Sequence, residues 1–130
     1  MSNAVANEIV RAAEASGVKL APLSPVDEAE FWASLQSKFN LKMDGQLWCQ
    51  MQFSYNKFDP EGWRALPTFF SDWPNLMFCD PYKQVPIYRI SSPEDLVKLL
   101  GESFHFVFYL SRFDLSKIAV FDDHECLRVT

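Results

Sequence analysis

Residues 120–127 read "VFDDHECL", setting two aspartates, a histidine, a glutamate and a cysteine side by side near the end of a 130-residue chain. A metal site would draw on Asp122, Asp123, His124 and Glu125. Adjacent residues of a strand point to opposite faces, however, so these four cannot all converge on one ion, and the only other histidine is His105. A cysteine nucleophile needs a general base within hydrogen-bond reach. Cys126 and His124 alternate onto one strand face about 7 Å apart, which is long for that bond. The four glycines form neither a phosphate-cradling loop nor a Gly-x-Ser-x-Gly elbow. Aspartate side chains also bond nearby backbone in tight turns, so a solvated hairpin loop is the plainest reading of Asp122 to Glu125. Carboxylates at a loop tip can in addition form a negative focus that pairs with Lys or Arg of a partner and steers encounter. Glu102, Asp114 and Asp80 extend that surface if the hairpins lie side by side, and Trp48, Trp63 and Trp73 are candidates for its aromatic anchors.

These residues sit in a chain built to fold. The hydrophobic fraction is 48% and the aromatic fraction 15%, with 12 Phe and 4 Trp, and 130 residues suffice for one core, so a single domain spanning 1–130 is expected. Seventeen acidic against twelve basic side chains give a formal charge of −5, and basic residues nowhere cluster, which disfavours nucleic acid as a ligand and suits a cationic protein partner. No apolar run approaches the roughly 20 residues that cross a bilayer, and no basic stretch precedes a hydrophobic one at the start, so a cytoplasmic protein without membrane contact is expected. Cys49, Cys79 and Cys126 are odd in number and lack Cys-x-x-Cys spacing, which points to reduced, mostly buried thiols and to no cofactor. Met1-Ser2-Asn3-Ala4 has the look of an expression-vector scar and carries no functional weight.

The elements that must position the acidic turn are legible from caps and periodicity. Val5, Ile9, Ala12 and Ala13 predict a helix over 4–16 ended by Gly17. Ser24 and Pro25 open a second helix with Phe31, Trp32, Leu35 and Phe39 on one stripe. Ser92, Pro93 and Asp95 open a third, with Leu96, Leu99 and Leu100 inward and Gly101 as its stop. Asp59 and Pro60 start a short helix or two turns that Pro67 must end or bend. The alternation of Leu47, Cys49, Met51 and Phe53 predicts a half-buried strand over 46–53. Residues 75–79 and 85–90 read as a hairpin, "FHFVFYL" (104–110) as a central strand buried on both faces, and "KIAVF" and "CLRVT" as a closing meander around the acidic turn. The fold class is α+β, a mostly antiparallel sheet with helices packed on one face.

The stretch "DLVKLLGESFHFVFYLSRFDLSKIAVFDDHECL" runs from a leucine-rich helix through Gly-Glu, an aromatic strand ending in Tyr-Leu, a turn and an apolar strand to an acidic-His turn. This order resembles a family of small uncharacterised bacterial domains that end in a strand, an acidic residue and an Asn-His-His-Asp-like tail, some of which resemble immunity proteins of bacterial toxin systems. "EFWASLQSKF" and "LW" upstream are similar too. Gly101 and Glu102 match the Gly-Glu step, Tyr109 and Leu110 the strand end, and Asp123 and His124 the tail. Asp-Asp-His-Glu here replaces the paired histidines. The resemblance implies a non-enzymatic binding protein, most concretely an immunity protein that neutralises a cognate toxin, such as a nuclease, by covering its basic site with acidic side chains. A small metal- or Cys-dependent hydrolase using Asp123, His124 and Cys126, or a subunit of a phage or housekeeping assembly, are the alternatives.

Overall fold

Three of the four helices begin where a side-chain oxygen replaces a missing backbone acceptor. In the computed structural model, which describes residues 3–130, Asn3 caps α1 (Ala4–Ser16), Ser24 caps α2 (Pro25–Phe39) and Ser92 caps α4 (Pro93–Glu102). Of the leading tetrapeptide, Met1 and Ser2 lie outside the described residues, whereas the Asn3 amide donates to the carbonyl of Lys83 at 2.7 Å. Gly17, at φ 75°, closes α1 as its sequence position predicts. Gly101 does not stop α4: the helix runs on through Glu102 and ends at Ser103 in extended conformation.

The strands are β1 (Ala21–Pro22), β2 (Tyr55–Phe58), β3 (Asn75–Phe78), β4 (Tyr88–Ile90), β5 (Phe108–Ser111), β6 (Ile118–Phe121) and β7 (Cys126–Val129), with the one-turn helix α3 (Gly62–Ala65) between β2 and β3. They form one seven-stranded sheet in the order β1-β4-β3-β5-β6-β7-β2, and every pairing is antiparallel. The expected α+β class and the closing β5-β6-β7 meander are therefore present. Successive residues of a strand face opposite sides, and both sides are apolar. Met77, Phe108, Leu110, Ala119, Phe121, Leu127 and Val129 pack with α1 and α4, while Leu76, Phe78, Tyr109, Ile118 and Val120 pack with Phe31 and Leu35 of α2. The helices therefore cover both faces of the sheet rather than the single face expected, α2 alone on its side, which is why every residue of the three central strands is buried, the polar Asn75 and Ser111 included.

Two expected strands take another form. Residues 46–53 contain a 3₁₀ turn (Trp48–Gln50) instead of a strand, and the strand at that sheet edge starts later, at Tyr55. The backbone N–H groups of Leu47 and Trp48 are claimed by side chains, donating to Asp80 Oδ1 (2.9 Å) and to the Tyr109 hydroxyl (2.9 Å), so no ladder forms there. The central strand begins at Phe108, not Phe104, because the Phe104 N–H donates to Glu8 Oε2 at 2.9 Å and the segment leaves the sheet. Phe104 is consequently 50% exposed. Cys79 is buried as expected; Cys49 is exposed and Cys126 half-buried, contrary to the expectation of mostly buried thiols. No helix among the described residues is long and apolar enough to cross a membrane.

Candidate functional site

The β6–β7 turn is organised by Asp122, and it is organised inward. Ile118, Val120 and Asp122 share the α2-side face of β6 by alternation, so the Asp122 carboxylate enters the protein and is 0% exposed. Its Oδ1 accepts from the backbone N–H of His124 (2.9 Å) and Cys126 (3.1 Å), and its Oδ2 accepts from Arg128 Nε (2.7 Å) on the neighbouring strand. The turn closes with Glu125 N–H donating to the Asp122 carbonyl (3.2 Å) and Glu125 itself in the left-handed region at φ 58°. Asp122 is thus the brace of the hairpin, and the expectation that it contacts a partner is corrected: no solvent reaches its oxygens.

A second inward carboxylate stands at the same end of the sheet. Asp80 follows β3 and is 3% exposed, so it too is removed from the expected acidic surface. Its Oδ1 accepts from the Tyr109 hydroxyl (2.7 Å) and from Leu47 N–H (2.9 Å), and the Tyr109 oxygen accepts from Trp48 N–H. Burial holds the Asp80 carboxyl above its ordinary range against these two hydrogen bonds, and burial, then the charge of Asp80, pushes the Tyr109 hydroxyl up as well. The Trp48 ring lies half-buried between the two carboxylate networks. The Arg128 guanidinium stands 5.1 Å from its centroid and the His124 ring meets it edge-on at 6.1 Å. Its Nε1 is buried without a hydrogen-bond partner among the described residues. Trp48 is therefore a lid on the Asp122–Arg128 pair.

What faces outward is a shorter set. Asp123 and His124 project from the turn with side chains 48% and 69% exposed, their Oδ1 and Nε2 3.7 Å apart. Glu125 is half-buried and lines a cleft of about 280 Å³ whose walls include Trp63, Phe104, His105, Phe108 and Phe121. Glu102 is exposed at the end of α4, next to Gly101 and Ser103 on that cleft's rim. Trp63 is half-buried with the Arg64 guanidinium stacked 4.6 Å from its ring. Asp114 does not join this group. It lies in the β5–β6 connection, at the opposite end of these strands from the β6–β7 turn, near Arg112 (4.0 Å). Trp73 is half-buried with its indole N–H donating to Phe70 O.

The arrangement is poorly suited to the hydrolytic alternative. The Cys126 thiol points at the His124 carbonyl (3.8 Å) and not at its imidazole, which stands against Trp48 and Asp123. Cys79 is buried, and desolvation pushes its thiol up to about 12, far from the thiolate a nucleophile needs. Among the described residues, no group of three or more His, Cys, Asp or Glu side chains could hold a metal ion. Tyr109 and Arg128, which fix both carboxylates, were invisible as site residues because each reads as an ordinary strand position; only the alternation Ile118, Val120, Asp122 signalled that an acid must enter the interior. No family model, curated protein or solved structure matches the chain.

Proposed function

We propose that this is a non-enzymatic protein-binding domain that recognises a cationic partner through the β6–β7 end of its sheet, with Asp123 and Glu125 as the contacting acids and Trp63 and Phe104 as adjoining apolar contacts. The observation that carries this reading is the inward Asp122. By accepting two backbone N–H groups and Arg128, it fixes the turn before any partner arrives, so presenting Asp123 and Glu125 costs little further ordering. The net charge of −5 adds steering toward a basic surface. A toxin domain with a basic site is the partner class that the family resemblance implies, and inhibition by coverage, as an immunity protein in the cytoplasm, is the corresponding role. Substituting Asp123→Asn and Glu125→Gln together tests it: partner affinity falls and its salt dependence flattens while the melting temperature stays put. Unchanged affinity in the double variant overturns the reading.

A further inference from the structure

Beside the turn lies a second cavity, of about 320 Å³, lined by Gln46, Asp80, Tyr82, Lys83, His105 and Asp123 among others. Its floor holds an unusual group. Asp80 is 3% exposed, and both of its protein hydrogen bonds, from Leu47 N–H and the Tyr109 hydroxyl, end on Oδ1. Oδ2 accepts none among the described residues, and it is not one of the fully buried unpaired atoms, so it keeps contact with solvent and is open to a donor arriving from the cavity. Lys83 lines the same cavity, yet it makes no ion pair with Asp80, and its ammonium stands 5.4 Å from the centroid of the Tyr82 ring. Asp123 stands on the cavity wall, so two carboxylates border one space that also has a side-chain amide and aromatic rings.

We infer that this cavity is a receptor for one arginine side chain of the partner, whose guanidinium pairs with Asp80 Oδ2 and Asp123 and stacks on the aromatic wall. A planar cation with five donors fits this acceptor set better than any alternative. It satisfies the open oxygen of Asp80, bridges to the second carboxylate and can lie on His105 or Phe106, whereas an ammonium offers a point charge without a stacking face. A divalent ion fits less well, since among the described residues no group of three or more His, Cys, Asp or Glu could hold one, and Asp80 and Asp123 alone leave most of its coordination sphere unfilled. Asp80 is held from behind by Leu47 and Tyr109, so it meets the arriving cation already oriented, and the cation offsets the desolvation that burial imposes on it.

The inference rests on the reading of a cationic partner, but it can be tested without one. N-acetyl-arginine methylamide is titrated into the intact protein while the Gln46 side-chain amide and His105 ring signals are followed by NMR, with the neutral isostere N-acetyl-citrulline methylamide as control. Saturable shifts at Gln46 and His105 with a Kd on the order of 10 mM or tighter, at least fivefold stronger than for the citrulline compound, are expected. Asp80→Asn, which keeps an oxygen for Leu47 and Tyr109, and the exposed Asp123→Asn each weaken the arginine probe severalfold, and Lys83→Ala strengthens it, while Glu102→Gln leaves it unchanged. Equal shifts with both probes, or arginine shifts insensitive to both aspartate substitutions, overturn the inference. If the probe fails while Asp123→Asn with Glu125→Gln still abolishes partner binding, the cavity assignment falls and the docking surface stands. If the probe binds with these sensitivities while that double variant, which removes Asp123 from the cavity wall, keeps full partner affinity, the cavity takes an arginine but not one of the partner's, and the docking surface and the inference fall together.

Discussion

Replacing Asp122 with alanine tests the division between inward and outward acids. The substitution removes the acceptor of two backbone N–H groups and, among the described residues, the only carboxylate paired with Arg128, whose side chain is 24% exposed. Breaking a buried ion pair from one side costs about 3–5 kcal/mol, and each hydrogen bond to a charged group contributes about 1.5–3 kcal/mol. These figures overlap rather than add. Arg128 also keeps its bond to Asn56 Oδ1 (2.8 Å), and the turn tip can be rehydrated. A loss of about 3 kcal/mol is expected, which for a chain of this size lowers the melting temperature by about 10 °C. Urea unfolding at pH 7 measures it as a shift in midpoint with little change in slope. Asp122→Asn keeps one neutral acceptor and should lose about half as much, whereas Asp123→Ala, on the exposed side of the same turn, should stay within about 0.5 kcal/mol of wild type. Asp122→Ala within about 1 kcal/mol of wild type, or Asp123→Ala as costly as Asp122→Ala, would refute the bracing role.

Glu8 accepts from Arg11 Nε and Nη2 and from Phe104 N–H, and the Arg11 bond first, then Phe104, lowers its carboxyl to about 2. Because the folded value lies below the unfolded one, its contribution is complete above about pH 4.5 and disappears as pH falls toward 2; Glu8→Gln should lower stability at neutral pH and flatten the acid limb of a stability–pH curve, and an unchanged acid limb would count against the Arg11–Glu8–Phe104 link. Tyr109→Phe strips the Asp80 and Trp48 contacts together and should cost about 1–3 kcal/mol by denaturant titration, where a neutral effect would contradict the hydroxyl's role. Thiol titration with Ellman's reagent should find Cys49 reactive in the native protein and Cys79 only after denaturation, since Cys79 is both buried and held near 12; rapid native labelling of Cys79 would refute that burial.

The parts of this fold that depend on neighbours in sequence were legible. Ser24 and Ser92 accept from Asp27 and Asp95 N–H, each at 3.1 Å, as their positions before Pro25 and Pro93 predict. The hairpin of β3 and β4 and the meander of β5, β6 and β7 follow from alternation and turn residues. The two strands that took another form share one cause, a distant side chain that captures backbone donors. Asp80 and Tyr109 take the N–H groups of Leu47 and Trp48 and prevent a strand at 46–53, and Glu8 takes that of Phe104 and shortens β5. Periodicity sees only local spacing and is blind to such captures. The candidate site divides along the same line. Asp123, His124 and Glu125 stay at or near the surface because a tight turn leaves them there, while Asp122 and Asp80 look like surface acids in the sequence because their partners, Arg128 and Tyr109, lie on other strands. Coverage of both faces was implicit in the central strands, which carry large apolar residues on both sides, but which helix covers which face depends on long connections that carry no such signal.

The most direct test of the docking surface is the affinity of the purified protein for a partner captured from its own cells, measured at low and moderate salt for wild type and for Asp123→Asn with Glu125→Gln. A loss of roughly tenfold or more in the variant, from the removal of two charges that face the partner, with a flatter salt dependence and an unaltered melting temperature, is expected. Equal affinity and equal salt dependence in the two proteins would contradict recognition through the outward acids of the β6–β7 turn.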